Sequence, residues 1–107
     1  MNAATLVPFP FSDLSATKHR PVLALTGPDS YGDFIALPVT SRPQEEFGIP
    51  LGSVDMVRGV LPAPSWIRID RIVTLNATLV VKVVGHVSDE ILAESVQRFC
   101  AHIGYRK

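Results

Sequence analysis

The chain has 107 residues, 47% of them hydrophobic, and its ten basic residues are balanced by ten acidic ones. That length predicts a single domain spanning residues 1–107 with a real core and no room for a second. Zero net charge excludes the basic excess of a general nucleic-acid binder, so any contact with a polyanion must come from a local patch.

The elements follow in chain order. Leu6 to Val22, LVPFPFSDLSATKHRPV, sets a short apolar strand, a polar link and the basic cluster Lys18, His19 and Arg20 against a second apolar strand. Val7, Phe9 and Phe11 alternate with Pro8 and Pro10, which predicts one apolar face. Because proline has no N–H for a ladder, this first strand is expected to be short or irregular. Ser12 to Lys18 reads as a loop. Pro21 to Leu25 is apolar on both faces and reads as a central strand, ended by the turn residues Gly27, Pro28 and Asp29.

Asp33 to Val39 reads as the third strand, and Phe47 to Leu51 as a short fourth. Ser53 to Pro64 has no clear pattern. Trp66 to Ile72 alternates again, with Ile67 and Ile69 on one face and Trp66, Arg68 and Asp70 on the other. Asn76 marks a turn before the valine-rich run Leu79 to Val87, read as a strand.

The last element has a different period. Ser88 is placed to cap a helix whose first turn carries Asp89 and Glu90, favourable against the helix dipole. Ile91, Leu92, Val96, Phe99, Cys100 and Ile103 form one stripe near the 3.6-residue period, and Gly104 sits where a helix-ending glycine belongs. Five to seven short strands with a closing helix predict a small antiparallel β-barrel.

A single cysteine, Cys100, allows no internal disulfide and no cysteine zinc site. His19, His86 and His102 lack metal-ligand spacing. The start, MNAATL, does not read as a signal peptide, and no apolar run approaches the ~18 residues of a membrane span. A soluble cytoplasmic protein with no membrane association is therefore expected.

Arg20 is the first candidate for chemistry. Pro21 behind it disfavours the helical region, and its planar donor fork suits phosphate. The alternative is a solvated surface arginine. Thr40 and Ser41, before Arg42 and Pro43, offer hydroxyl donors to a phosphate oxygen, or simply close a turn. His19 has the chemistry of a general acid or base, but neighbours in an extended strand point to opposite sides, so it and Arg20 are not expected to share a pocket. Trp66 and Arg68 share a face that could stack on bases or form a contact surface. The residues alone lead to a β-barrel with a candidate anion site, and no further.

The stretch VPFPFSDLSATKHRPVLAL resembles the opening of the MazF/PemK family of toxin–antitoxin ribonucleases. Pro38-Val39-Thr40-Ser41 matches that family's second active-site segment, and WIRIDRIVTLNATLVVKVVGHVSDEILAESVQRF is similar to its final strands and helix. The resemblance implies an SH3-like barrel with a C-terminal helix, assembled as a homodimer. It implies metal-independent and cofactor-free cleavage of single-stranded RNA at specific sequences, leaving a 2′,3′-cyclic phosphate and a 5′-hydroxyl. It assigns catalysis to Arg20 and Thr40; Lys18, His19, Ser41 and Arg68 are the expected substrate contacts. A cognate antitoxin is the implied partner.

The chain departs from the family in two places. No Gly-Asp pair opens the first strand, and Ser15 to Lys18 lacks the acidic residue some members carry. Two alternatives use the same fold: a non-catalytic gyrase-binding poison like CcdB, or an inactive dimer that only binds antitoxin. Gyrase poisons depend on a tryptophan-containing C-terminal end, whereas this sequence ends Gly104-Tyr105-Arg106-Lys107.

Overall fold

The computed structural model describes the backbone of residues 1–12 and 17–105, and the side chains of residues 1–9 and 20–105. Within them lie β1 (Thr5–Ser12), β2 (Thr17–Ala24), β3 (Asp33–Thr40), β4 (Gly48–Leu51), β5 (Met56–Gly59), β6 (Ser65–Arg68), β7 (Val73–Asn76), β8 (Gly85–Val87) and α1 (Asp89–His102). The strands form one 8-stranded sheet in the order β4-β6-β3-β2-β1-β8-β5, with β7 pairing to β3 off that path. Every pairing among the described residues is antiparallel. The expected small antiparallel β-barrel with a C-terminal helix is what the chain forms, its sheet curled into a half-barrel.

β1 is longer and more regular than its prolines suggest, pairing with β2 from Leu6 through Ser12. The reason lies in the register, which sets Pro8 directly opposite Pro21. Alternate pairs of an antiparallel ladder exchange no hydrogen bonds, so two prolines can face each other at no cost to that ladder. On their outer sides the neighbouring strands stop short: β8 pairs only with Thr5 and Leu6, and the β3 pairing begins at Val22. Thr17 to Arg20, read partly as loop, belongs to β2. Pro38 works similarly, falling between the β7 pairing of Asp33–Ala36 and the β6 pairing of Val39–Thr40.

Both faces of the central strands are buried. Leu6, Leu23, Leu37, Val39, Ile49 and Ile67 form one core with Ile91 of α1. Val7, Phe9, Val22, Ala24, Phe34 and Ala36 form a second on the opposite face, covered by Val73, Leu75 and Val80. Each fully buried aliphatic side chain contributes roughly 1.5–3 kcal/mol. Alternation along β2 and β3 therefore feeds two cores, which is why Pro21 to Leu25 reads as apolar on both faces.

Three expectations fail. The unpatterned stretch from Ser53 contains a 3₁₀ turn, Ser53–Asp55, and then β5, whose irregular register against β8 conceals its alternation. The Trp66 to Ile72 strand ends at Arg68, and a separate strand, β7, begins at Val73. The valine-rich run from Leu79 is strand only at Gly85–Val87. Ala77–Leu79 is a 3₁₀ turn in which Asn76 Oδ1 accepts from the Thr78 N–H at 3.0 Å. Val81 and Val83 are exposed in a segment with no strand partner among the described residues, so β-branched composition alone did not make a strand.

The helix follows its sequence signals. Ser88 Oγ accepts from the Ile91 N–H at 3.2 Å. At the far end Gly104 has φ +92, and the Tyr105 N–H donates to the Cys100 carbonyl at 2.8 Å. The apolar stripe is narrower than expected: Ile91, Leu92 and Phe99 meet the core, while Val96 and Ile103 are exposed. Ser95, absent from the expected stripe, is fully buried and donates to the Ile91 carbonyl. Arg98 ties the helix to the sheet by donating to the carbonyls of Glu46 and Gly48.

Candidate anion-binding cleft

Arg20 and Thr40 lie 20 residues apart in sequence, but the sheet brings them together. β2 and β3 pair Val22 with Pro38 and Ala24 with Ala36. That pairing ends at Val22 and Pro38; Arg20 and Thr40 lie two residues beyond it on their strands, where Arg20 pairs with Phe9 and Thr40 with Trp66.

The result is a cleft of about 340 Å³ with Arg20, Thr40, Ser41 and Arg42 on its polar side and Leu61 and Pro62 on its apolar side. No carboxylate is among its described lining residues. Arg20 is exposed and Thr40 half-buried. Thr40 Oγ1 accepts a hydrogen bond from the Arg42 N–H at 3.1 Å, so the hydroxyl's own hydrogen is left to donate elsewhere. Ser65, at the cleft floor, spends its hydroxyl on the Ala63 carbonyl and steadies the apolar wall.

Of the residues expected from sequence, the cleft unites Arg20, Thr40 and Ser41. Lys18 and His19 are paired within β2, opposite Phe11 and Pro10; their side chains, and the expectation that His19 faces away from Arg20, lie outside the described residues. So do Ser15 and Thr17 as side chains. Arg68 is not among the cleft residues. Its Nε donates to Asp70 Oδ1 at 2.8 Å and its Nη2 to Oδ2 at 2.5 Å, a two-pronged pair. Arg68's hydrogen bonds hold the Asp70 carboxyl below the usual range, and the same bonds raise the Arg68 guanidinium.

Sequence reasoning passed over Arg42 and the wall at Leu61 to Ser65. A signal for Arg42 was present: both arginines of the cleft stand immediately before a proline, Arg20-Pro21 and Arg42-Pro43. The wall gave none, because it comes from the stretch without a pattern.

A second, larger cleft of about 570 Å³ lies at the other end of the sheet, beside Arg58, His86, Asp89 and Glu90. Thr5 Oγ1 donates to the Asn2 carbonyl at 2.6 Å, so it must accept from His86 Nε2, 3.1 Å away. That contact assigns the Nε2–H tautomer, and leaves Nδ1 buried with no partner among the described residues. Among the described residues no group of three His, Cys, Asp or Glu is placed to hold a metal ion, and no helix is long and apolar enough to cross a membrane.

Residues 5–103 match the sequence model of one family, described as PemK-like, MazF-like toxin of type II toxin–antitoxin system. No curated protein matches the chain. Among solved structures, the fold is similar to a chain of the MazE–MazF structure from Deinococcus radiodurans, with 23% identity, 99% of this chain and 98% of that one covered, and a TM-score of 0.79. It is also similar to an endoribonuclease in complex with its cognate antitoxin from a mycobacterial species, with 16% identity, 100% and 98% coverage and a TM-score of 0.75. The Mycobacterium tuberculosis toxin MazF-mt6 shares 18% identity over 94% of this chain and 99% of its own, with a TM-score of 0.69. At these identities the structures speak for the fold.

Proposed function

The chain belongs to the PemK-like, MazF-like toxins of type II toxin–antitoxin systems, and from that membership we propose that it is an endoribonuclease toxin. It cleaves single-stranded RNA at specific sequences without a metal ion or other cofactor. The observation that carries this reading is that Arg20 and Thr40 line one cleft with a second arginine and no described carboxylate.

The chemistry follows from what those groups can do. The ribose 2′-oxygen attacks the adjacent phosphorus and loses its proton, while the bond to the departing 5′-oxygen breaks and that oxygen gains a proton. The products are a 2′,3′-cyclic phosphate and a 5′-hydroxyl. Negative charge grows on the two non-bridging oxygens in between. Arg20, a planar fork of donors, stabilises that charge, and the free hydroxyl hydrogen of Thr40 binds the same phosphate. A guanidinium holds its proton too firmly to serve readily as the base, so Arg20 acts mainly by charge.

Ser41, beside Thr40, supplies a further donor to the RNA backbone, as do Lys18 and His19 of β2. Arg68, engaged by Asp70, is an outlying contact. The toxin acts on cytoplasmic RNA, works as a homodimer, and is neutralised by a cognate antitoxin whose acidic segment suits the arginine-lined cleft. The mycobacterial neighbour, an endoribonuclease held by its cognate antitoxin, supports that partner.

The test is incubation of the purified protein with a long mixed-sequence RNA in EDTA, with cleavage ends mapped. Discrete cuts with 5′-hydroxyl ends are expected, and their loss in Arg20→Ala. RNA left intact by the wild-type protein would overturn the assignment.

A further inference from the structure

The second arginine of the cleft has no role in the reading above. Arg42 lies two residues beyond Thr40, past the end of β3. Its backbone is held from both sides: its N–H donates to Thr40 Oγ1 at 3.1 Å, and its carbonyl accepts from Gln44 Nε2 at 3.4 Å. Pro43 behind it disfavours the helical region, as Pro21 does for Arg20. Both guanidinium groups therefore leave backbones with little freedom, so less order must be imposed when they engage a ligand.

Two other arginines are occupied. Arg68 is paired with Asp70, and Arg98 binds two carbonyls beside Glu94. Arg42 is exposed, lines the cleft, and forms no ion pair among the described residues. A guanidinium in that setting has one natural class of ligand, an anion with two acceptor oxygens. Arg42 stands two residues past Thr40, beyond Ser41, in the lining of the same cleft.

We propose that Arg42 binds the phosphodiester next to the scissile one, fixing the affinity and register of single-stranded RNA in the cleft. This rests on the reading of the cleft as the RNA site. Arg42 holds the strand, and Arg20 and Thr40 act on the bond.

The experiment uses the full chain and a mixed-sequence single-stranded oligonucleotide with 2′-methoxy groups, which has no 2′-hydroxyl nucleophile and reports binding apart from cleavage. Arg42→Ala is expected to weaken binding about tenfold at low salt, and to reduce the slope of log K against log salt by about 0.7, one phosphate contact on a single strand. Arg42→Lys keeps most of that slope. On cleavable RNA the loss in Arg42→Ala falls on KM, whereas that in Arg20→Ala falls on kcat. Wild-type affinity and slope in Arg42→Ala would overturn the proposal, and so would a fall in kcat as large as that of Arg20→Ala at unchanged KM. A wild-type protein that binds the oligonucleotide through Arg42 but cuts no RNA would sink the cleavage reading and leave this contact standing. One that binds no oligonucleotide would sink both.

Discussion

The two clefts of this small sheet differ in size in one sense and in charge in the other. The larger, about 570 Å³, sets Arg58 against Asp89 and Glu90; the smaller, about 340 Å³, carries Arg20 and Arg42 with no described carboxylate. The acidic pair of the larger cleft already has a structural task, since both residues sit in the first turn of α1 where they complement its dipole. For a polyanionic ligand the sign of the local field outweighs volume, because each phosphate brought near a carboxylate meets repulsion on top of lost hydration. On charge, the smaller cleft is the one that suits a polyanion.

The contrast is broken most directly by exchanging which arginine is lost. Arg20→Ala should lower kcat by about 10²–10³-fold, the usual cost of removing a donor aimed at developing phosphate charge. Arg58→Ala, in the larger cleft, should leave cleavage within about twofold. Equal losses in the two variants, measured on the same RNA, would erase the distinction between the clefts.

Next in size is a change confined to the larger cleft's frame. Gly59 and Gly85 oppose each other where β5 meets β8. A Cβ at Gly85 would lie 2.2 Å from the Arg58 carbonyl oxygen, and one at Gly59, whose φ is +84, 2.1 Å from that of Val84. Gly85→Ala should therefore destabilise the fold by about 1–3 kcal/mol in urea denaturation. The folded fraction should retain its kcat, since the arginine cleft lies on other strands.

A smaller effect concerns the arginine kept out of the cleft. Asp70 is more readily ionised in the folded protein than in the unfolded chain because Arg68 donates to it. Its folded pKa is depressed, so its stabilisation is fully present above the ordinary carboxylate range and is lost as pH falls through the lowered value. Asp70→Asn should cost about 0.2–1 kcal/mol at neutral pH, for a pair that water still reaches. The gap from wild type should close in acid. A gap that widened in acid would contradict the assigned direction.

The smallest change is expected at Ala4, which has φ 67 at the start of β1, near where the family's usual glycine is missing. Relief of about 1–2 kcal/mol from the left-handed backbone in Ala4→Gly is opposed by a lost buried methyl, about 0.8 kcal/mol, and by added freedom of the unfolded chain, about 0.4–1 kcal/mol. Thermal unfolding should shift by less than the equivalent of about 1 kcal/mol.

The sequence by itself determined the strands that carry their own hydrophobic pattern, the capped helix, and the identity of Arg20 and Thr40 as a matched pair of motifs. These were legible because they depend on residues close in the chain: a proline behind an arginine, a serine before Asp89, an apolar stripe. The tertiary structure alone decided which residues meet. Pro8 opposite Pro21 turned an expected irregular edge into a regular ladder, and with no strand beside Val81 and Val83 among the described residues an expected strand did not form. Arg20, Thr40 and Arg42 came to line one cleft only because β2, the end of β3 and the stretch at Leu61 and Pro62 meet there. Pairing across a sheet is a property of two distant segments at once, and one segment's composition does not contain it.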